Sequence, residues 1–445
     1  MKQIIDGYEI TTASIEAAEQ TKRGIESFIE WRMDPFDWLD RALETDPDCV
    51  FAYLVKGLLL VTTRSKNFAP IISECIEHGE SREQELGMQE TLYLKALKAM
   101  SGFKVLEALE AYEALLRIHP RDLMATRMLQ AELFWMGESS WMHRAMKNLE
   151  QAWKPEMTRS SYFYGDYAFA HEEAGFHETA ERFGRMAVEL DSSNVWAAHA
   201  VAHVLEMQNR ADEGVDWLSS LSGGWDEKNQ IVHHAWWHRC LFHLERGESD
   251  EVFELFSQEV RNPDSPRVKQ APAAYVDVQN TASLLMRMEL SGFEVGDRWS
   301  GLVPLAESRL EDHTSPFTSI HALIILAKSG MLEKARTMIH NMLGFTDLDQ
   351  GPIGNTYRQV VMPAAEAVLA FVEDQPKQVL ERLMPIRFLL YRMGGSHAQR
   401  DLFWQMMTRT ALQLEDRTLL EQLHSEIRDF GFSMMEHRRA YAGVF

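Results

Sequence analysis

The chain has 445 residues, 45% of them hydrophobic and 25% charged, with 25 Gly and 14 Pro; this excludes disorder and low complexity and leaves apolar material for a large core. Its formal net charge of −22 repels phosphate backbones and no Lys/Arg cluster interrupts that field, so nucleic acid is excluded as an expected partner. Cys49, Cys75 and Cys240 are scattered, with neither CxxC spacing nor a disulfide framework, which points to a reducing cytoplasm.

The N-terminus, MKQIIDGYEITTASIEAAEQ, carries acids where a signal peptide needs bases and an apolar run, so no targeting segment is expected. The longest apolar stretch, residues 54–62, is broken by Lys56 and is too short to span a bilayer, so no membrane partner is expected. Residues 1–100 repeat poorly and read as an N-terminal helical cap. From 101 to 445 the chain reads as one continuous array.

The first clear unit follows Gly102: Ala108, Tyr112 and Leu115 share a helical face and Pro120 stops the helix. A weaker copy starts at Gly137 with Ala145. The best unit is residues 174–194, AGFHETAERFGRMAVELDSSN, where the turn residue Gly175 precedes Ala180, Phe183 and Ala187. Asn209 stands 34 positions after Gly175, the length of a tetratricopeptide repeat. Further copies start at Gly247 with Phe253, Gly330 with Ala335, and Asp374 with Val379. Longer connections at 219–230, 258–272 and 343–359 are rich in Gly, Pro, Asp or Asn. No sustained alternating run demands a sheet. The expected fold is therefore all-α, a right-handed superhelix of about seven helix pairs of tetratricopeptide type, with the N-terminal cap.

Histidines gather on the helices that precede the turns. In WAAHAVAHVLEMQ, His199, His203 and Glu206 project from one helical face, where they suit either metal coordination or proton relay. The next first helix, VHHAWWHRCLFHLERG, repeats the spacing with His234 and His238 beside Trp237. His238 stands nine residues before Gly247 and His321 nine before Gly330, and first helices of such pairs line the concave side. The alternative for any one of them is a core histidine donating to a carbonyl. In GGSHAQRD, the segment with His397, Gln399, Arg400 and Asp401, paired glycines free backbone N–H groups and Arg400 suits a carboxylate; a polar turn with Ser396 as helix cap is the alternative. Asp277, Asn280 and Arg287 interrupt an otherwise apolar helix, as cavity lining or as a cap and a solvated arginine.

HAVAHVLEM, HHAWWH, GDRW, the 317–321 segment, MPIR and GGSHAQRD in this order resemble the tetratricopeptide repeat protein 38 family, over residues 160–410. The resemblance implies the solenoid fold and puts His199, His203, Glu206, His234, His238, Asp277, Arg287, His321, Gln399, Arg400 and Asp401 on the family's motif positions. Asn280, Ser319 and His397 depart from that pattern, which weakens any carboxylate chemistry shared by the family. No reaction comes with it.

Two functions follow. The preferred one is a hydrolase or lyase acting on a small organic substrate, with His199, His203, Glu206, His238 and His321 catalytic. His234, Trp237, Asp277, Asn280, Arg287, His397, Gln399, Arg400 and Asp401 would then bind substrate. The alternative is a non-catalytic scaffold taking a peptide or helix in its concave groove. No obligatory metal or other cofactor is expected, the alternative being a divalent ion such as zinc on His199, His203, Glu206 and His238. Homo-oligomerisation stays open.

Overall fold

To pair two consecutive helices, the chain must reverse within one or two residues, and the left-handed backbone region does so; glycine reaches it without strain, Asn and Asp at small cost. A computed structural model, describing residues 2–349, 351–429 and 437–441, puts the expected turns there: Gly137 at φ 72°, Gly175 at 83°, Asn209 at 53°, Gly247 at 78°, Gly330 at 77° and Asp374 at 55°. In the first unit Phe103, at φ 57°, takes this role in place of Gly102. Further left-handed residues at Gly292 and Glu415 extend the array to the pair His397–Gln413 and Arg417–Asp429. Trp31 and Arg64 do the same in the first hundred residues, after Ile15–Ile29 and Val50–Thr62. With 77% of the chain helical, the fold is an all-α, tetratricopeptide-type solenoid.

One element departs from helix. Lys2–Ile5 and Tyr8–Thr11 form an antiparallel hairpin in the register Ile5↔Tyr8. Asp6 and Gly7, at φ 48° and 89°, make the two-residue turn that suits strand twist. Glu90, on the helix Met88–Ser101, accepts from Thr11 N at 2.7 Å and Thr11 Oγ1 at 2.6 Å. The connection expected at 343–359 is largely helical, because Leu332–Leu348 continues into it with Met342 and Thr346 buried; position 350 lies outside the described residues, as do 430–436 and 442–445 of the array.

The apolar core falls into two clusters, one running from Tyr8 to Phe242 and the other from Met207 to Tyr441. They meet along the helices Val195–Met207 and Ile231–Arg246, where Trp236 packs on both. The N-terminal helices also close against later ones: Lys228 Nζ donates to Glu30 O at 3.1 Å, Arg309 Nη1 to Arg64 O at 2.6 Å, and Gln270 Nε2 to Met33 O at 2.7 Å. Among the described residues no helix is long and apolar enough to cross a membrane.

Candidate functional site

Val195–Met207 is capped by the Asn194 side chain, which accepts from Ala197 N, and all of its residues except Trp196 are buried. A helix walled in on every side has no solvated face for polar residues, so its two histidines must find partners inside. His199 and His203 point across to His234 and His238 on Ile231–Arg246, and one nitrogen from each of the four rings lies within 4.8 Å of the others. The Nε2 atoms of His199 and His203 are 2.8 Å apart. All four rings are buried.

A second layer orients them. His238 donates from Nδ1 to Glu206 Oε2 at 2.6 Å and His234 from Nδ1 to Asn280 Oδ1 at 2.8 Å. Arg438 Nη2 in turn donates to Glu206 Oε1 at 2.9 Å. Trp196 stacks on His199 at 4.7 Å and Trp237 on His234 at 5.1 Å. Burial, reinforced by the neighbouring rings, holds His199 and His203 well below the usual histidine range and His234 at about 3, so these imidazoles are neutral. Burial alone would raise Glu206; Arg438 and the His238 hydrogen bond outweigh it and bring it to about 2. Behind His203 sit Glu172 and Glu173: burial and then each other raise Glu172, while burial lifts Glu173 to about 7 against the pull of Arg400.

The remaining expected site residues are dispersed. His321 is buried on Pro316–Lys328 with its Nδ1 on the Phe317 carbonyl at 2.7 Å, and stands apart from the four-ring cluster. Asp277 accepts from His233 Nδ1 at 2.7 Å and from Arg261 Nη1 at 2.9 Å. Arg287 is held by the carbonyls of Ala398 and Gln399 and lies over Trp237 at 5.8 Å. In the GGSHAQRD segment Ser396 and Gln399 form a reciprocal capping box, while Arg400 donates to the Gly395 carbonyl and to His397 Nδ1. Asp401 accepts from Tyr441 Oη at 2.8 Å and faces Arg438 Nε at 3.4 Å.

Sequence reasoning missed Glu172, Glu173, His233 and Arg438. Glu172 had a signal: it precedes Glu206 by 34 positions, one repeat, so both occupy the same place on successive first helices. Arg438 had none, since it belongs to no repeat.

The cavity bordering His199, His203 and His234 has a volume of about 90 Å³, well short of the ~300–1,000 Å³ of sites for organic ligands. Across Trp31, Ile231, Tyr275 and Val276 it adjoins a larger one of about 620 Å³. The charged residues lining the larger cavity are paired: Lys56 with Asp40 at 2.5 Å, Arg32 with Glu227 at 2.8 Å, Arg309 with Asp312 at 2.9 Å.

No family model matches the chain. Among solved structures it is similar to yeast Tom70, at 14% identity and a TM-score of 0.33, covering 95% of this chain and 94% of that one. It is also similar to a structure of Naa15/Naa10 bound to HypK-THB, at 13% identity and a TM-score of 0.25, covering 94% of this chain and 63% of the other. These are loose likenesses of helical solenoids.

The expected hydrolase or lyase, with its small-molecule substrate, is corrected on the geometry of the site. Within the molecule itself, the imidazoles face a space too small for an organic substrate, His321 stands apart from them, and the roomier cavity holds no free acid–base pair.

Proposed function

We propose that the protein is a non-catalytic, cytoplasmic interaction scaffold, one array from residue 101 onward behind an N-terminal cap, which receives an apolar segment of a partner protein. The observation that carries this reading is the 620 Å³ cavity between the N-terminal helices and the 270–276 segment, lined by Phe28, Trp31, Phe36, Leu59, Phe68 and Tyr275. Partly exposed aromatic rings converging on one hollow are the chemistry of protein-binding hot spots. The net charge of −22 favours a partner segment flanked by basic residues. Placement in the tetratricopeptide repeat protein 38 family belongs to the same proposal and rests on the ordered motifs quoted above.

Selection of displayed peptides on the full chain tests it. The selected peptides are expected to share an apolar anchor with basic flanks and to lose at least tenfold in affinity for Phe36→Ser, with little change for His321→Gln. A selection that converges on no motif, or binding indifferent to Phe36→Ser, overturns it.

A further inference from the structure

We infer that His199, His203, His234 and His238 together form a binding site for one divalent transition-metal ion. Four ring nitrogens within 4.8 Å of one another is the first observation. Metal–nitrogen bonds of about 2.0–2.1 Å place tetrahedral ligand atoms about 3.3 Å apart, between the observed 2.8 Å of the His199–His203 pair and that 4.8 Å limit. Small side-chain shifts complete the tetrahedron.

The second observation is the direction of the lone pairs. Glu206 and the Asn280 carbonyl oxygen can only accept, so Nδ1 of His238 and of His234 carries the proton and Nε2 keeps its lone pair. Among the described residues His238 Nε2 is buried with no hydrogen-bond partner, an arrangement that costs about 1–3 kcal/mol unless something binds there. The two facing Nε2 atoms of His199 and His203 must share one proton when no ion is bound. With an ion both Nε2 lone pairs are used and each ring carries its proton on Nδ1, which for His203 lies 3.6 Å from Glu172 Oε2. A ring nitrogen held by an outer carboxylate or amide is the usual second layer of a metal site.

The donor set also limits the ion. Neutral imidazoles without thiolate suit zinc, copper, nickel or cobalt, whereas calcium and magnesium require oxygen ligands. Glu206, ionised between Arg438 and His238, is an orienting residue and not a ligand; His234 takes the place that the sequence alternative gave to Glu206. The ligands come from two adjacent helices at the seam between the core clusters, so the ion would join the halves of the solenoid without any reaction being required. The inference is independent of the proposed partner groove.

Untagged full-length protein, stripped by a chelator, is titrated with Co²⁺ and, in parallel, Zn²⁺. About one ion per chain is expected, with the visible absorption of tetrahedral Co²⁺ and a rise in Tm on adding Zn²⁺. Glu206→Gln is expected to weaken Co²⁺ affinity roughly 10- to 100-fold, and His234→Asn to abolish the tetrahedral spectrum. Far-UV circular dichroism checks that both remain helical; should either fail to fold, the wild-type stoichiometry and spectrum decide. Uptake below about 0.1 ion per chain at micromolar Co²⁺ and Zn²⁺, or uptake unchanged in folded His234→Asn, overturns the proposal.

Discussion

Glu206 and His238 meet across successive helix pairs, Nδ1 donating to Oε2 at 2.6 Å with both side chains buried, and this single contact ties the imidazole cluster to Arg438 near the C-terminus. Among the described residues, removing the charge of Glu206 leaves Arg438 paired with Asp401 and Glu245. Glu206→Gln is expected to destabilise the chain by about 3 kcal/mol, the lower end of the cost of breaking a buried pair. Urea denaturation measures it; a loss under about 0.5 kcal/mol would show that the contact is not structural.

Part of the pH dependence is expected to come from buried histidines outside the cluster. Burial lowers His321 from 6.5 to about 4 against its bond to Phe317 O, and His313 likewise to about 4 against Asp312. Below pH 6.5 the unfolded chain takes up protons that these folded groups refuse, so their contribution is complete above 6.5 and declines as pH falls toward 4. Each contributes a slope of up to about 1.36 kcal/mol per pH unit. His321→Phe is expected to flatten the stability profile between pH 6.5 and 4 by about one proton's worth, read from urea midpoints at stepped pH. An unchanged slope would refute the assignment.

Two glycines separate backbone from packing effects. Gly175 has φ +83° and nothing near its Cβ position, whereas a Cβ on Gly184 would sit 2.6 Å from Val201 Cγ2 on the neighbouring helix. Gly175→Ala is expected to cost about 1 kcal/mol through conformation alone, and Gly184→Val about 1–3 kcal/mol or more through overpacking of the helix crossing. Thermal unfolding of both variants should give that order. The reverse order would mean that this crossing is loose.

The solenoid was legible because each repeat advertises its own reversal: Gly137, Gly175, Asn209, Gly247, Gly330 and Asp374 are left-handed as their residue types require. Phe103, Trp31 and Arg64 adopt the same conformation without such a residue type, so tertiary packing imposed those turns and periodicity could not find them. The hairpin did leave a mark, an Asp6–Gly7 pair between two short apolar segments, overridden by the helical character of everything after it. At the site, HxxxH spacing found His199, His203, His234 and His238 because helix geometry alone decides which residues share a face. His321 shares the offset but lies farther along the superhelix, where equal orientation no longer means a common space. Arg438 reaches Glu206 from 232 residues away, a contact that no local pattern encodes.

The cavity wall next to the cluster depends on Arg127, whose behaviour gives the sharpest stability test. Its guanidinium lies over Trp31 at 4.7 Å, donates to Ile29 O at 2.9 Å and pairs with Asp166 Oδ1 at 3.1 Å, with both Arg127 and Asp166 buried. Burial raises Asp166 to about 6 even though Arg127 pulls it down. Arg127→Met therefore strands a buried carboxylate, at an expected cost of about 3–5 kcal/mol. Asp166→Leu alone strands the guanidinium at a similar cost. The double variant removes both charges and replaces them with apolar volume, so it is expected to recover most of the loss and to unfold within about 1–2 kcal/mol of the parent. The four urea midpoints form a double-mutant cycle. If the double variant loses the sum of the two single losses, Arg127 acts through Trp31 and Ile29 and not through Asp166.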